Sequence, residues 1–150
     1  MNTYKVARTA ALAMAIFLLV PPAWGRSDKE ALFKYVAGTE HVLRGCQGKL
    51  EVTESNLVFE CPGKSIAVPY DTVTQMEFLP RVSKKVRKMK LHWAVKPPSS
   101  HSKHEGFFTV IYSDNGQTHA IILKARDETM RPYMAEIDLK TGGRIESRKD

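Results

Sequence analysis

From His41 to Lys124 apolar and polar residues alternate in short runs, and beyond Asp127 the spacing lengthens to the ~3.6-residue period of a helix. The alternation predicts seven strands. Val42 to Thr53 and Asn56 to Cys61 form a hairpin reversing at Glu54-Ser55, so that Leu50 and Val52 oppose Phe59 and Leu57. Ser65 to Pro69 and Thr72 to Leu79 follow, joined by the turn chemistry of Pro69-Tyr70-Asp71. Val86 to Lys96 is expected as a fifth strand, with Met89, Leu91, Trp93 and Val95 on one face and Lys88, Lys90 and His92 on the other. After a polar loop from Pro97 to Gly106, Phe107 to Tyr112 and His119 to Lys124 flank Asn115-Gly116, which tolerates positive φ at both central turn positions. That register sets Tyr112 opposite His119, Val110 opposite Ile121 and Phe108 opposite Leu123.

Met130, Tyr133, Met134 and Ile137 then recur at helical spacing, with Asp127 or Thr129 available as a cap and Gly142-Gly143 as a stop. Pro132 requires this helix to start late enough to keep it in the first turn. The expected fold is therefore mainly β: a small seven-stranded antiparallel barrel or sandwich closed by a C-terminal helix. Ahead of it, Ser27-Asp28-Lys29-Glu30 has capping-box spacing for a short helix toward Val36, although Phe33, Tyr35 and Val36 equally suit the start of a strand.

The N-terminus reads as an address. Lys5 and Arg8 precede an apolar run from Ala10 to Val20, and Ala23-Trp24-Gly25 supplies small residues at a cleavage site. That run of 11 residues is shorter than the ~20 a membrane span requires, and Pro21-Pro22 ends it, so a signal peptide is favoured over an anchor. The expectation is cleavage near Gly25 and export, periplasmic or secreted. The division that follows is a signal peptide at 1–25, a lead-in at 26–39, one domain at 40–141 and a polar tail at 142–150. Loss of Lys5 and Arg8 with the leader brings the formal charge of +7 to +5, so the remaining chain stays basic. This excess bears on anionic partners and not on fold.

Export makes Cys46 and Cys61 candidates for a disulfide. Both share the parity of the buried side of the first hairpin. In a regular ladder, however, Cys61 faces Gly48 and Cys46 lies diagonally, ~7–8 Å away, whereas a bridge needs Cα atoms within ~7 Å. A bond therefore demands a bulge or bend near Gly45 or Gly48; two buried free thiols are the alternative. Without a Cys-x-x-Cys spacing, a catalytic redox pair is disfavoured.

Gly48-Lys49-Leu50-Glu51-Val52-Thr53 followed by Leu57-Val58-Phe59, and Ile66-Ala67-Val68-Pro69-Tyr70 followed by Val73-Thr74-Gln75-Met76, resemble the opening strand pairs of pleckstrin-homology-like domains in their bacterial, GRAM-like forms. With the terminal helix, the resemblance covers roughly Glu40 to Thr141. It implies a non-catalytic module that binds lipid headgroups, peptides or partner proteins.

The first hairpin carries only Lys49, followed by Lys64, while Arg81, Lys84, Lys85, Arg87, Lys88 and Lys90 put six cations into ten residues. That run is the candidate docking patch for an anionic surface, a lipid headgroup or a polysaccharide, set against a solvated face whose charges merely block strand pairing. Nucleic acid is disfavoured by export and by the lack of aromatics interleaved with the cations. His92, His101, His104 and His119 raise a metal reading, with a metal-assisted hydrolase using His101, His104 and Glu105 as the competing function. Lys103 sits between the two loop histidines, and no nucleophile elbow, phosphate-binding glycine loop or two-histidine metal helix is present. No catalytic residue and no cofactor is therefore assigned. Trp93, Phe107, Phe108 and Tyr112 are expected as core aromatics, and one pointing outward would instead suggest a sugar platform.

Overall fold

The computed structural model of the chain describes residues 31–143 and 145–147. The leader and the capping-box residues 27–30 lie outside them. Among the described residues no helix is long and apolar enough to cross a membrane.

Eight strands form one sheet: β1 (Phe33–Gly38), β2 (Gln47–Val52), β3 (Asn56–Cys61), β4 (Lys64–Pro69), β5 (Val73–Leu79), β6 (Glu105–Asp114), β7 (Gln117–Arg126) and β8 (Glu146–Ser147). Their spatial order is β4-β3-β2-β1-β7-β6-β5-β8. All neighbours are antiparallel except β5 and β8, so the sheet is mixed, and it does not close. This corrects the expected seven-stranded antiparallel barrel. The strand expected over Val86–Lys96 is absent, and β1 and β8 are additional.

β1 forms where the sequence left helix and strand open. Phe33, Tyr35 and Ala37 alternate into the interior, and the strand joins β2 to β7 at the centre of the sheet. The β2 strand begins at Gln47 rather than Val42 because the chain first turns back on β1: the Gly45 N–H donates to the Tyr35 carbonyl at 2.7 Å and the Tyr35 N–H to the Cys46 carbonyl at 2.9 Å. Gly45 makes that turn with φ of +88°, a conformation glycine adopts without a Cβ clash. The bend carries Cys46 to Cys61, with Cα atoms 6.0 Å apart and the disulfide formed. Gly48 leaves room for it, since a Cβ there would lie 1.9 Å from the Glu60 carbonyl oxygen and 2.8 Å from the Cys61 Cβ.

The β2–β3 and β6–β7 registers follow the alternation. Leu50 pairs with Phe59 and Val52 with Leu57, and Tyr112, Val110 and Phe108 pair with His119, Ile121 and Leu123. Asn115 and Gly116 both take positive φ.

Two apolar layers result, one on each face of the central strands. The larger joins Phe33, Tyr35, Leu50, Phe59, Phe108, Val110, Ile121 and Leu123 beneath helix α2 (Asp127–Thr141), whose Met130 and Ile137 are fully buried. Pro132 is the sixth residue of α2, so the first-turn requirement fails. The helix starts at Asp127 behind Arg126 without a side-chain cap, and burial of its apolar stripe offsets the one missing backbone donor.

The second layer, Ala37, Phe107, Ile111, Ala120 and Ile122, lies under the segment between β5 and β6. Within that segment only Lys84–Arg87 is helical (α1), and a single bridge pairs Gly38 with Val95. Met89, Leu91, Trp93 and Val95 do pack toward this layer while Lys88, Lys90 and His92 are exposed. The alternation is therefore real, but it belongs to an irregular cover over the sheet and not to a strand within it. Pro97 and Pro98 follow directly and lack the donors a ladder requires.

Candidate functional site

The cations of the basic run are displayed by a firmly tied cover. Val82 and Val86 are its apolar anchors, at 1 % and 0 % exposure. Ser83 caps α1 by accepting the Val86 N–H at 3.2 Å, and its own N–H donates to the carboxylate of Glu77, a β5 residue only 1 % exposed, at 3.1 Å. Gln75 Nε2 donates to the other Glu77 oxygen at 3.2 Å. Further along, the Trp93 indole N–H donates to the Met89 carbonyl at 3.3 Å, and Arg44 Nη2 donates to the Lys96 carbonyl at 2.8 Å.

Arg81, Lys84, Lys85, Lys88 and Lys90 are exposed; Arg87 is half-buried, its Nε donating to the Val82 carbonyl at 3.2 Å. None of the six forms an ion pair with any described residue. Lys84 and Lys85 open α1, and no acid occupies its first turn. α1 is a single turn of four residues, so Lys84, Lys85 and Arg87 also make up its last turn.

Beside the run lies a cleft of about 680 Å³, lined by Lys90, His92 and Trp93 from the cover, His41 from the bend after β1, and His119 at the start of β7. His119 is held from behind. Its Nδ1 lies 3.1 Å from Glu40 Oε1, and the Tyr112 hydroxyl donates to the same oxygen at 2.8 Å. The Tyr112 and His119 rings stack with centroids 5.3 Å apart, as their cross-strand pairing permits. With Nδ1 engaged by a carboxylate, Nε2 is the nitrogen left for a ligand. Burial, and then the hydrogen bond to Glu40, hold the Tyr112 hydroxyl well above the ordinary phenol range, so it remains a donor. Burial raises Tyr35 in the same way; its hydroxyl donates to the Glu40 carbonyl at 3.0 Å.

The loop histidines fare differently. His101 and His104 are exposed, and Glu105 is taken up by an ion pair with Lys124 and a 3.4 Å hydrogen bond from Ser102. The Lys124 hydrogen bond keeps the Glu105 carboxyl below the usual glutamate range. The structure therefore does not bring the proposed hydrolase residues together, and among the described residues no group of three or more His, Cys, Asp or Glu is arranged to hold a metal ion.

Phe107, Phe108 and Tyr112 are buried as expected of core aromatics, whereas Trp93 is half-buried and borders the cleft. The sequence reading missed Glu40, His41 and the cleft itself. The Tyr112–His119 pairing was legible, but nothing in sequence marks the bend that brings Glu40 to it. No protein-family model matches the chain, and comparison with curated proteins gives no match.

Proposed function

We propose that the chain is an exported, non-catalytic binding module of the pleckstrin-homology-like kind that docks on an anionic surface through Arg81, Lys84, Lys85, Arg87, Lys88 and Lys90. The carrying observation is that these six cations have no acidic partner among the described residues while the backbone beneath them is tied to the sheet. A merely solvated surface has no need of the buried Glu77 tether. The fold assignment is supported by two antiparallel meanders, β1–β4 and β5–β7, joined along β1 and β7 and followed by one helix. The cysteine bridge supports export, since oxidising compartments are where such bonds persist.

The test is retention of the full chain on vesicles rich in anionic phospholipid and on beads carrying an acidic polysaccharide, across a salt series. Binding to one of the two should weaken as the Debye length shrinks from ~10 Å at ~0.1 M salt to ~3 Å at ~1 M. Retention on neither at low salt, or retention indifferent to salt, overturns the reading.

A further inference from the structure

The cleft beside the basic run has a composition of its own. His41, His92, His119 and Lys90 border it, and among the described residues no Asp or Glu does; Glu40 borders the neighbouring concavity of about 400 Å³ instead. Gln117 and Thr118 add neutral hydrogen-bonding groups, while the Thr39 hydroxyl is already engaged, accepting the Ala120 N–H at 3.1 Å. Trp93 adds an indole whose N–H is already committed to Met89, which fixes the ring and leaves its carbon surface for a ligand. A volume of about 680 Å³ is within the range of small-molecule sites and larger than an isolated inorganic anion needs. We propose that this cleft seats an acidic sugar unit, bearing a carboxylate or a sulfate, of a polysaccharide whose continuing chain runs out over Lys88, Lys85 and Lys84.

The chemistry of such a unit matches the lining group by group. Its anionic substituent pairs with the Lys90 ammonium. Its hydroxyls exchange hydrogen bonds with Gln117 and Thr118, and with the Nε2 that the Glu40 contact leaves to His119. Its C–H face packs on Trp93. Lys90 belongs both to the cleft and to the end of the basic run, so a polymer held in the cleft starts at the last of its cations. A flat bilayer offers no equivalent of a ring entering a recess. The proposal rests on the anionic docking proposed above and names its partner.

Trp93 also supplies the readout. The chain has two tryptophans, and in a full-length Trp24→Phe variant Trp93 is the sole one. Its emission is followed during titration with a galacturonic acid trimer, with a sulfated disaccharide, and with a neutral galactose trimer as control. The expected result is a saturable change with at least one acidic sugar and none with the neutral one. Lys90→Gln should weaken that binding about tenfold, the equivalent of one charge-assisted hydrogen bond. Lys84→Gln should leave the short ligand within about twofold while weakening the polymer, because each exposed lysine at the rim contributes little alone. Absence of any response to both acidic sugars, with salt-sensitive retention on anionic vesicles intact, overturns the cleft assignment and leaves the docking surface standing. Absence of both kinds of binding removes both.

Discussion

Glu77 is the residue through which fold and candidate site are coupled, and its truncation has a calculable cost. Glu77→Ala deletes the acceptor of the Ser83 N–H and of the Gln75 amide. The half-buried Gln75 side chain can turn to water, but the part-buried Ser83 N–H is fixed in the backbone at the start of α1 and cannot turn away when its acceptor is lost. An orphaned buried donor costs ~1–3 kcal/mol, and a hydrogen bond to a charged acceptor contributes ~1.5–3 kcal/mol. Relief of burying the carboxylate offsets part of this, so the net loss expected is about 2 kcal/mol. At ~4 °C per kcal/mol for a domain of this size, Tm should fall by about 8 °C.

The same change should loosen the basic run. Tryptic cleavage within it should accelerate by up to about thirtyfold where cleavage follows the population of the opened segment. Glu77→Gln keeps an acceptor of the same shape facing Ser83 and should stay within about 1 kcal/mol of the parent. Thermal melts and limited trypsin digestion of the three proteins decide the matter. An unchanged Tm together with unchanged cleavage for Glu77→Ala refutes the tether. A Glu77→Gln protein as unstable as Glu77→Ala shows that charge, and not the Ser83 bond, is what matters.

Removing the bridge with Cys46→Ala and Cys61→Ala should lower stability by ~3 kcal/mol, the loop-closure value for a separation of 15 residues; reduction should bring the parent's denaturant midpoint down to that of the double variant, and a midpoint indifferent to reductant contradicts this. Thr109, fully buried on β6, has a hydroxyl without a hydrogen-bond partner. Thr109→Val should therefore stabilise by about 1 kcal/mol in a chemical melt, and a loss of stability would reveal a partner for that hydroxyl. The Glu105 carboxyl is held low by Lys124, so its contribution is present above the ordinary glutamate range and is lost as pH falls through the lowered folded value. Lys124→Met should flatten that acid limb while costing under ~1 kcal/mol at neutral pH, because the pair is partly exposed; an unchanged acid limb argues against the assignment.

The parts of the fold legible in sequence are those in which a local period and a turn agree. Leu50, Val52, Leu57 and Phe59 with Glu54-Ser55, and Phe108, Val110, Ile121 and Leu123 with Asn115-Gly116, each leave one register that buries a single face. Val86–Lys96 shows the limit of that logic. A segment laid over a sheet also alternates inward and outward, and the pattern does not say whether its backbone bonds go to a neighbouring strand. A signal for the cover was nevertheless present. Phe107 to Tyr112 is buried at every residue, and Ala120 to Leu123 likewise, so both faces of the hairpin needed covering. β8 has two residues, too few for any period.

Of the candidate site, the cations were legible because all six fall within ten residues. Their lack of partners was not, since that depends on where every acid folds. The cleft combines a bend near residue 40, a cover near residue 92 and a strand start at residue 119, and only the strand pairing brings these segments together. Trp93 moved from expected core aromatic to cleft wall for the same reason: its half-burial is a property of the cover.

The most direct measurement of the docking surface is the salt slope of binding to the anionic bead or vesicle that retains the chain, compared between the parent and a Lys84→Gln, Lys85→Gln, Lys88→Gln variant that melts at the parent's temperature. The account predicts a clearly shallower slope for the variant and weaker binding at low salt, with the two proteins converging as salt screens the remaining charges. Equal affinity and equal slope for both proteins would contradict it.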